Sequence, residues 1–474
     1  MTTTFHDLLT TAPLGIITLT ALVVLTVDAL TRQKELATWW ISIGGMVLAL
    51  VALAQSVGEK GYAFGGMVTT GGYADYFAMV FLAAGLASLL LSRSYIRKEQ
   101  IEHGEYYALL LFGVVGMILM ASAADLLVFF LGLEIMSISF YVLAGFARKR
   151  PESNEAALKY FLLGAFATGF LLYGIALVYG SARSTDIQAI VHAAPGLVGS
   201  PLFSIGLALI LIGLAFKVAA VPFHMWVPDV YEGSPTTVSA FMSTGGKAAA
   251  FSVMLMIFAP GLMQSAANLR EVLAVIAALS MVVGNVIAIS QISIKRMLAY
   301  SSIAHAGYVL VGIVAANPTG STGVLFYLMA YTMMNVGAFG VLSILESQDG
   351  QNLTFDDYAG LSTKRPLLAG LMAVFMFSLA GVPPFAGFFG KYYVFAGAVE
   401  GGFTWLAILG VLMSVVSAYF YLRLVVVMYF KDQVSVIEEP VPAAGMIALV
   451  LSALALLGFG IYPSILLNLT QHFF

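Results

Sequence analysis

From Pro13 onward, apolar runs of about 20 residues, the length an α-helix needs to cross a bilayer, alternate with short polar connections. The pattern predicts about fourteen such helices. They lie near 13–30, 38–56, 74–92, 106–121, 125–146, 158–180, 201–222, 236–259, 272–290, 297–315, 323–345, 367–400 with a break, 403–430 and 443–468. Short stretches between them carry other readings: 183–196 as a surface helix, and Glu346 to Arg365 as a polar connection able to dock a partner.

The pattern fails in an informative way at two places. In LAFKVAAVPFHMW (214–226), Pro222 has no N–H for the carbonyl of Val218, and downstream Pro228 has none for that of His224. In SLAGVPPFAGFFGKYYVF (378–395), Pro383 and Pro384 strand the carbonyls of Leu379 and Ala380 in the same way. Each break adjoins a lysine, Lys217 or Lys391. Paired broken helices in two halves of a membrane chain mark a repeat-built transporter with its path near the midplane.

Composition agrees with a polytopic membrane protein: 474 residues, 61% hydrophobic and 9% charged, with mean hydropathy +0.97. The absence of cysteine excludes a disulfide framework, thiolate-held iron–sulfur or zinc sites and covalent haem. A net charge of -3 gives no sign of nucleic-acid binding. The N-terminus has no basic segment before its first apolar run, which is read as a retained helix. Alternate connections hold Arg32 and Lys34; Arg93, Arg97 and Lys98; Arg148, Lys149, Arg150 and Lys159; Lys295 and Arg296; Lys364 and Arg365; and Lys431. The opposite set holds only Lys60, Arg183 and Arg270, so the charge rule puts the first set in the cytoplasm and both termini outside.

The remaining charges sit where charge is costly. An ammonium at the bilayer centre is unfavourable by roughly 2.5–3.5 kcal/mol on insertion scales. Lys217, Lys247 and Lys391 nevertheless lie in apolar segments, with Glu134, His305 and a buried-looking His224 beside or between them. Desolvation together with a movable counter-charge lets a lysine exchange protons, so these six residues are candidates for a proton relay. Blander readings stand beside it. Glu134 with a lysine also makes a static ion pair; His224 also serves as donor to a freed carbonyl; His305, one turn from Ser301 and Ser302, also makes an interhelical hydrogen bond. Arg423, after Tyr419, Phe420 and Tyr421, reads as a snorkelling or stacked anchor. Asp28, Asp75, Asp125 and Glu400 read as helix-end residues, and Asp229 and Glu232 as exposed loop residues. No two histidines share a helix face at metal-ligand spacing, so no metal or cofactor is expected in the chain.

FKVAAVPFHMWVPDVYEGSPTTVSAFMSTGGKAAAF, IKRMLAYSSIAHAGYVL and the second break together resemble the antiporter-like membrane subunits of respiratory complex I, from about Tyr106 to Phe430. The resemblance implies an all-α fold of fourteen transmembrane helices with two inverted five-helix repeats, each with one broken helix. It divides the chain into N-terminal helices (1–105), two repeats (106–259 and 260–430) and a final helix (431–474). It implies that Glu134 and Lys217 form the family's glutamate–lysine pair, that Lys247 is its central lysine and that Lys391 is its terminal charged residue. A lysine at this last place resembles one branch of the family, whereas subunit M usually has glutamate, and the long C-terminal extension of subunit L is absent. Gly245-Gly246 departs from the family, which more often has a bulkier residue and a serine there, and is expected to admit water or loosen the helix.

The function implied is that of a redox-inactive, proton-translocating subunit of a bacterial inner-membrane NADH:quinone oxidoreductase. Its partners would be other membrane subunits, including related antiporter-like ones, and the lipid bilayer, with NADH and quinone bound by other subunits. A subunit of a cation/proton antiporter is the second reading, and a haem-binding membrane enzyme the third.

Overall fold

A computed structural model describes residues 5–31, 35–56, 60–258, 260–348, 353–432 and 441–472. Arg32 and Lys34, used above for orientation, lie outside them. The chain begins with α1 (Phe5–Thr10), α2 (Ala12–Leu30), α3 (Glu35–Ser56), a hairpin of β1 (Gly61–Ala63) and β2 (Val68–Thr70), and α4 (Gly72–Lys98). Next come α5 (Gly104–Ala121), α6 (Leu126–Ala144), α7 (Pro151–Ala182), the short α8 (Ile187–Leu197), α9 (Pro201–Val218), α10 (Trp226–Gly233), α11 (Thr236–Phe241) and α12 (Lys247–Ile257). The second half holds α13 (Pro260–Ser265), α14 (Ala267–Ile289), α15 (Ile294–Ala315), α16 (Pro318–Leu345), α17 (Leu361–Lys364), α18 (Pro366–Ala380), α19 (Ala386–Glu400) and α20 (Thr404–Phe430). The last helices are α21 (Ala443–Ile461) and α22 (Pro463–His472).

Among the described residues, 13 helices are long and apolar enough to cross a membrane, or 14 when the bent pair Asp356–Lys364 and Pro366–Ala380 counts as one. The expected all-α polytopic class holds, with the small hairpin as its one addition. The surface helix expected over 183–196 is α8. The expected span 367–400 is two helices of 15 residues, α18 and α19. The segments Thr236–Ile257, α15 and α16 are almost wholly enclosed, while α2, α7 and α20 turn most of their apolar surface outward, as bilayer-facing helices do.

The two halves are built alike. In the first, α5 crosses α6 at Gly116 and Gly132, where a Cβ on Gly116 would stand 2.5 Å from the Met136 nitrogen. In the second, α14 crosses α15 at Gly284 and Gly307, where a Cβ on Gly284 would stand 2.5 Å from the Ala304 nitrogen. Small residues at such crossings let backbones approach where lipid supplies no hydrophobic drive.

The breaks are also alike, down to their hydrogen bonds. After α9, Ala219 takes the left-handed conformation (φ 63), and Ala219 and Ala220 donate to the Phe216 and Ala215 carbonyls at 3.0 and 2.8 Å. After α18, Gly381 does the same (φ 86), and Gly381 and Val382 donate to the Ser378 and Phe377 carbonyls at 3.0 and 3.1 Å. This is one C-terminal capping motif used twice, placing a helix end inside the bundle.

Beyond the first break, α10 is pinned by charge. Asp229 accepts from Lys159 of α7 at 2.7 Å and from Arg296 of α15 at 2.9 Å, and Glu232 accepts from Ser293 at 3.0 Å. Asp229 and Glu232 are therefore helical and bonded, not free loop charges, because the half-helix turns them toward α7 and α15. Part-exposed ion pairs of this kind contribute about 0.2–1 kcal/mol each. A double-mutant cycle of Asp229→Asn with Arg296→Gln is expected to give a coupling of that size in thermal inactivation of the protein, and zero coupling would show the pair to be idle.

Candidate functional site

Lys217 and Lys391 are 5% exposed, and Lys247 and His305 2%. Lys217 sits two residues before the left-handed cap of α9, so its side chain points back toward α6. Its Nζ donates to Ser137 Oγ at 2.7 Å and Tyr141 OH at 3.3 Å. The rings of Tyr141, Tyr160 and Phe216 face the ammonium at 5.3–5.9 Å, and Trp226 from beyond the break stacks on Tyr160 at 4.4 Å. The break thus closes an aromatic box over the cation.

Glu134 is one turn from Ser137 on the same helix. It is half-buried, and its Oε1 is buried without a hydrogen-bond partner. The pair expected from the sequence is therefore an ammonium on hydroxyls with a carboxylate held close by, and not a locked ion pair.

Lys247 opens α12 directly after a π-helical turn, Met242–Gly246. Its Nζ donates to the Ser302 carbonyl at 2.6 Å and Ser302 Oγ at 2.8 Å. A π turn inside a helix is frequent at functional sites, since it rotates the next side chain out of the regular register. The two glycines, expected to admit water or loosen the helix, both lie in this π turn. Cβ atoms there would meet Met117 Sδ at 2.7 Å (Gly245) and Phe140 Cε2 at 2.5 Å (Gly246), so the glycines make room for neighbouring side chains.

One turn along α15 from Ser302, His305 uses both ring nitrogens. Nδ1 lies 2.7 Å from Tyr327 OH and Nε2 3.0 Å from Tyr421 OH, with Ser301 Oγ a further 2.5 Å from Tyr421. One nitrogen donates and the other accepts, so the ring can pass a proton by exchanging tautomers.

On the same helix, Tyr308 receives Asn285 at 3.0 Å, and the Lys391 ammonium lies 4.9 Å from its ring centre. Lys391 Nζ donates to the Leu379 and Ala380 carbonyls, both at 3.0 Å. These are the carbonyls stranded by Pro383 and Pro384, so the break itself supplies the lysine's acceptors. Beside Lys391, an apolar cleft of about 700 Å³ opens between α19 and α20.

Lys247, His305 and Lys391 are thus joined through α15, and Lys217 stands at the first break. His224 is not brought to this line. It is half-exposed beside Pro222 and Met225, both exposed, because the break turns its proline edge outward. Arg423 stacks over Phe355 at 4.2 Å, as an anchoring arginine. Asp125 caps α6, accepting from the Leu127 nitrogen at 2.8 Å. Among the described residues, no three His, Cys, Asp or Glu side chains gather as a metal site. Sequence reasoning missed Ser137, Tyr141, Tyr327 and Tyr421. The only signal for them was polar residues at helical spacing on enclosed segments, which an aromatic belt imitates.

Residues 123–417 match the family described as "NADH:quinone oxidoreductase/Mrp antiporter, TM". The chain is 50% identical to NADH-quinone oxidoreductase subunit N of Trichlorobacter lovleyi over 91% of its length and 89% of the relative's. It is 48% identical to subunit N 1 of Chloroherpeton thalassium, over 98% of both. Its fold is similar to a chain of respiratory complex I from Thermus thermophilus with bound aureothin (TM-score 0.84, 37% identity, 96% and 98% of the two chains). A chain of the Mrp complex from Dietzia shares the fold at TM-score 0.84 and 20% identity, over 98% and 97%. By sequence over nearly its whole length and by fold, the chain belongs to the NADH:quinone oxidoreductase/Mrp antiporter family of transmembrane subunits, in its subunit N branch.

Proposed function

We propose that the chain is the proton-translocating membrane subunit N of an NADH:quinone oxidoreductase, taking no part in electron transfer itself. NADH, quinone and the redox carriers then belong to other subunits, and related antiporter-like subunits lie beside it in the bacterial inner membrane. The basic connections face the cytoplasm and both termini the outside. The observation that carries this reading is the bonding of the lysines. Lys217, Lys247 and Lys391 bond to hydroxyls and carbonyls, and Ser302, which holds Lys247, His305 and Tyr308, whose ring faces Lys391, follow one another at one-turn spacing along α15.

Neutral acceptors bond both the ammonium and the amine, the ammonium more strongly, and bring no fixed counter-charge that locks the proton in place. A carboxylate that approaches or withdraws then shifts the balance, and Glu134 is the one placed to do so at Lys217. Quinone reduction elsewhere moves that balance, and the change passes through Lys247 and His305 to Lys391 as proton uptake and release. His305, with both nitrogens engaged by tyrosines, is poorly placed to ligate iron, which weighs against a haem role.

Lys217→Ala and Glu134→Ala in the assembled complex are each expected to reduce quinone-coupled proton pumping at least about tenfold, below the ~10²–10⁴-fold that a positioned proton-transfer group contributes. Proton flux in reconstituted vesicles during NADH oxidation measures it. Wild-type flux from both variants would remove the relay role. Loss of Na⁺ tolerance on deletion, with NADH oxidation intact, would favour the antiporter reading instead.

A further inference from the structure

A second group of buried charges lies away from the lysine line, at the basic-loop end of the bundle. Glu346, which caps α16, has no exposed surface. Its Oε1 accepts from Tyr95 OH at 3.2 Å and lies 3.8 Å from Arg150, while its Oε2 has no hydrogen-bond partner. Lys295, near the start of α15, is equally buried and donates to the Ser234 carbonyl at 2.7 Å. Arg150 also pairs with Glu99 at 3.3 Å. The relay described above uses none of these residues.

From this group, polar side chains converge on Ser302, the residue that holds Lys247. On α15, Lys295 and Ser302 are two turns apart on one face. On α16, Glu346 shares a face with Asn335 and Tyr331. Ser234, Thr236 and Tyr231 line the joint between α10 and α11 that faces both helices. Ser234 Oγ and Thr236 Oγ1 are buried and, like Glu346 Oε2, lack a hydrogen-bond partner. The Tyr231 and Tyr331 hydroxyls both face Ser302. Native proteins seldom leave buried polar atoms unbonded, and such atoms are normally bridged by ordered water. On the other side of the group, a cleft of about 680 Å³ between α3, α4, α16 and α21 reaches Tyr95, bonded to the Glu346 carboxylate, and Lys98, which donates to the Glu346 backbone carbonyl.

We infer that Glu346, with Lys295 beside it, is the proton-loading station that serves Lys247 from the basic-loop face. The carboxylate takes a proton from solvent through the cleft at Tyr95. It passes that proton along Thr236, Tyr231 and Tyr331 to Ser302 and the Lys247 amine. Each transfer restores the carboxylate as the ammonium forms, so protons and charge balance. The inference rests on the proton-carrying reading of the chain.

The test uses the complete complex in vesicles, with proton uptake measured during quinone reduction from pH 6 to pH 8. Glu346→Gln is expected to lower uptake per assembled complex about tenfold at pH 8 and much less at pH 6, where bulk protons replace the missing carboxyl. Glu346→Asp is expected to restore the wild-type profile. Thr236→Val, which leaves the charges in place, is expected to slow uptake several-fold with normal assembly. A Glu346→Gln complex that assembles poorly but pumps normally per complex at both pH values makes the group structural and overturns the inference. If Glu346→Gln does not assemble at all, normal pumping by Thr236→Val overturns it. Lys247→Ala is measured alongside: full pumping there removes the proton-carrying reading itself, whereas a silent Lys247→Ala beside a normal Glu346→Gln removes only the loading station.

Discussion

Lys247→Ala is expected to cut quinone-coupled proton flux by about 10²-fold, with the complex still assembled, because proton transfer by a positioned side chain contributes about 10²–10⁴-fold. The size follows from its position. Lys247 lies between the two halves, it is the group bonded to Ser302, and His305 continues from there toward Lys391. Ser302→Ala removes one of the two bonds and keeps the carbonyl, so its effect should be several-fold smaller. Flux in vesicles and NADH:quinone turnover, measured together, separate a blocked path from a misassembled complex. Equal losses in Lys247→Ala and in a distant surface variant would mean that assembly, and not the path, was measured.

Gly387→Ala is expected to have a large effect on stability. A Cβ there would stand 1.9 Å from the Ser378 carbonyl oxygen, a backbone atom that cannot rotate away. Overpacking in a tight core costs about 1–3 kcal/mol, and more where backbone must shift. Ser378 directly precedes Leu379 and Ala380, whose carbonyls hold Lys391, so the shift should also move those acceptors. The variant is thus expected to lower both the thermal inactivation midpoint and proton flux. Gly458→Ala in α21, where a Cβ would meet nothing within 4 Å, is the control and should change neither. Unchanged stability in Gly387→Ala would show that the second break is looser than its contacts imply.

Hydropathy alone places the helices, because bilayer thickness fixes their length. The breaks were as legible, since a proline's missing N–H names the carbonyl it frees, and two of those carbonyls are the ones Lys391 takes. Side-chain partners across helices were not. Tyr421 reads as part of an anchoring run with Tyr419 and Phe420, yet it turns inward onto His305. Lys295 and Glu346 stand among loop charges in sequence, and only the packing of helix ends against one another buries them. His224 differs in the opposite sense: it is only half-buried, although its Nδ1 has no exposed surface. Apolar neighbours suggest burial, but in a membrane chain they equally suit a surface turned to lipid or to another subunit.

The acceptors around Lys391 are peptide oxygens, and a peptide oxygen belongs to no residue type. Substitution at Leu379 or Ala380 leaves it in place, and it neither gains nor loses a proton at any pH the protein meets. The last lysine's hydrogen bonds are therefore insulated from side-chain changes at 379 and 380, and drift in sequence retunes them by bending the loop between α18 and α19. Related proteins should accordingly resist change at the shape-determining positions from Gly381 to Gly387, while the buried side chains at 379 and 380 answer only to the packing around them.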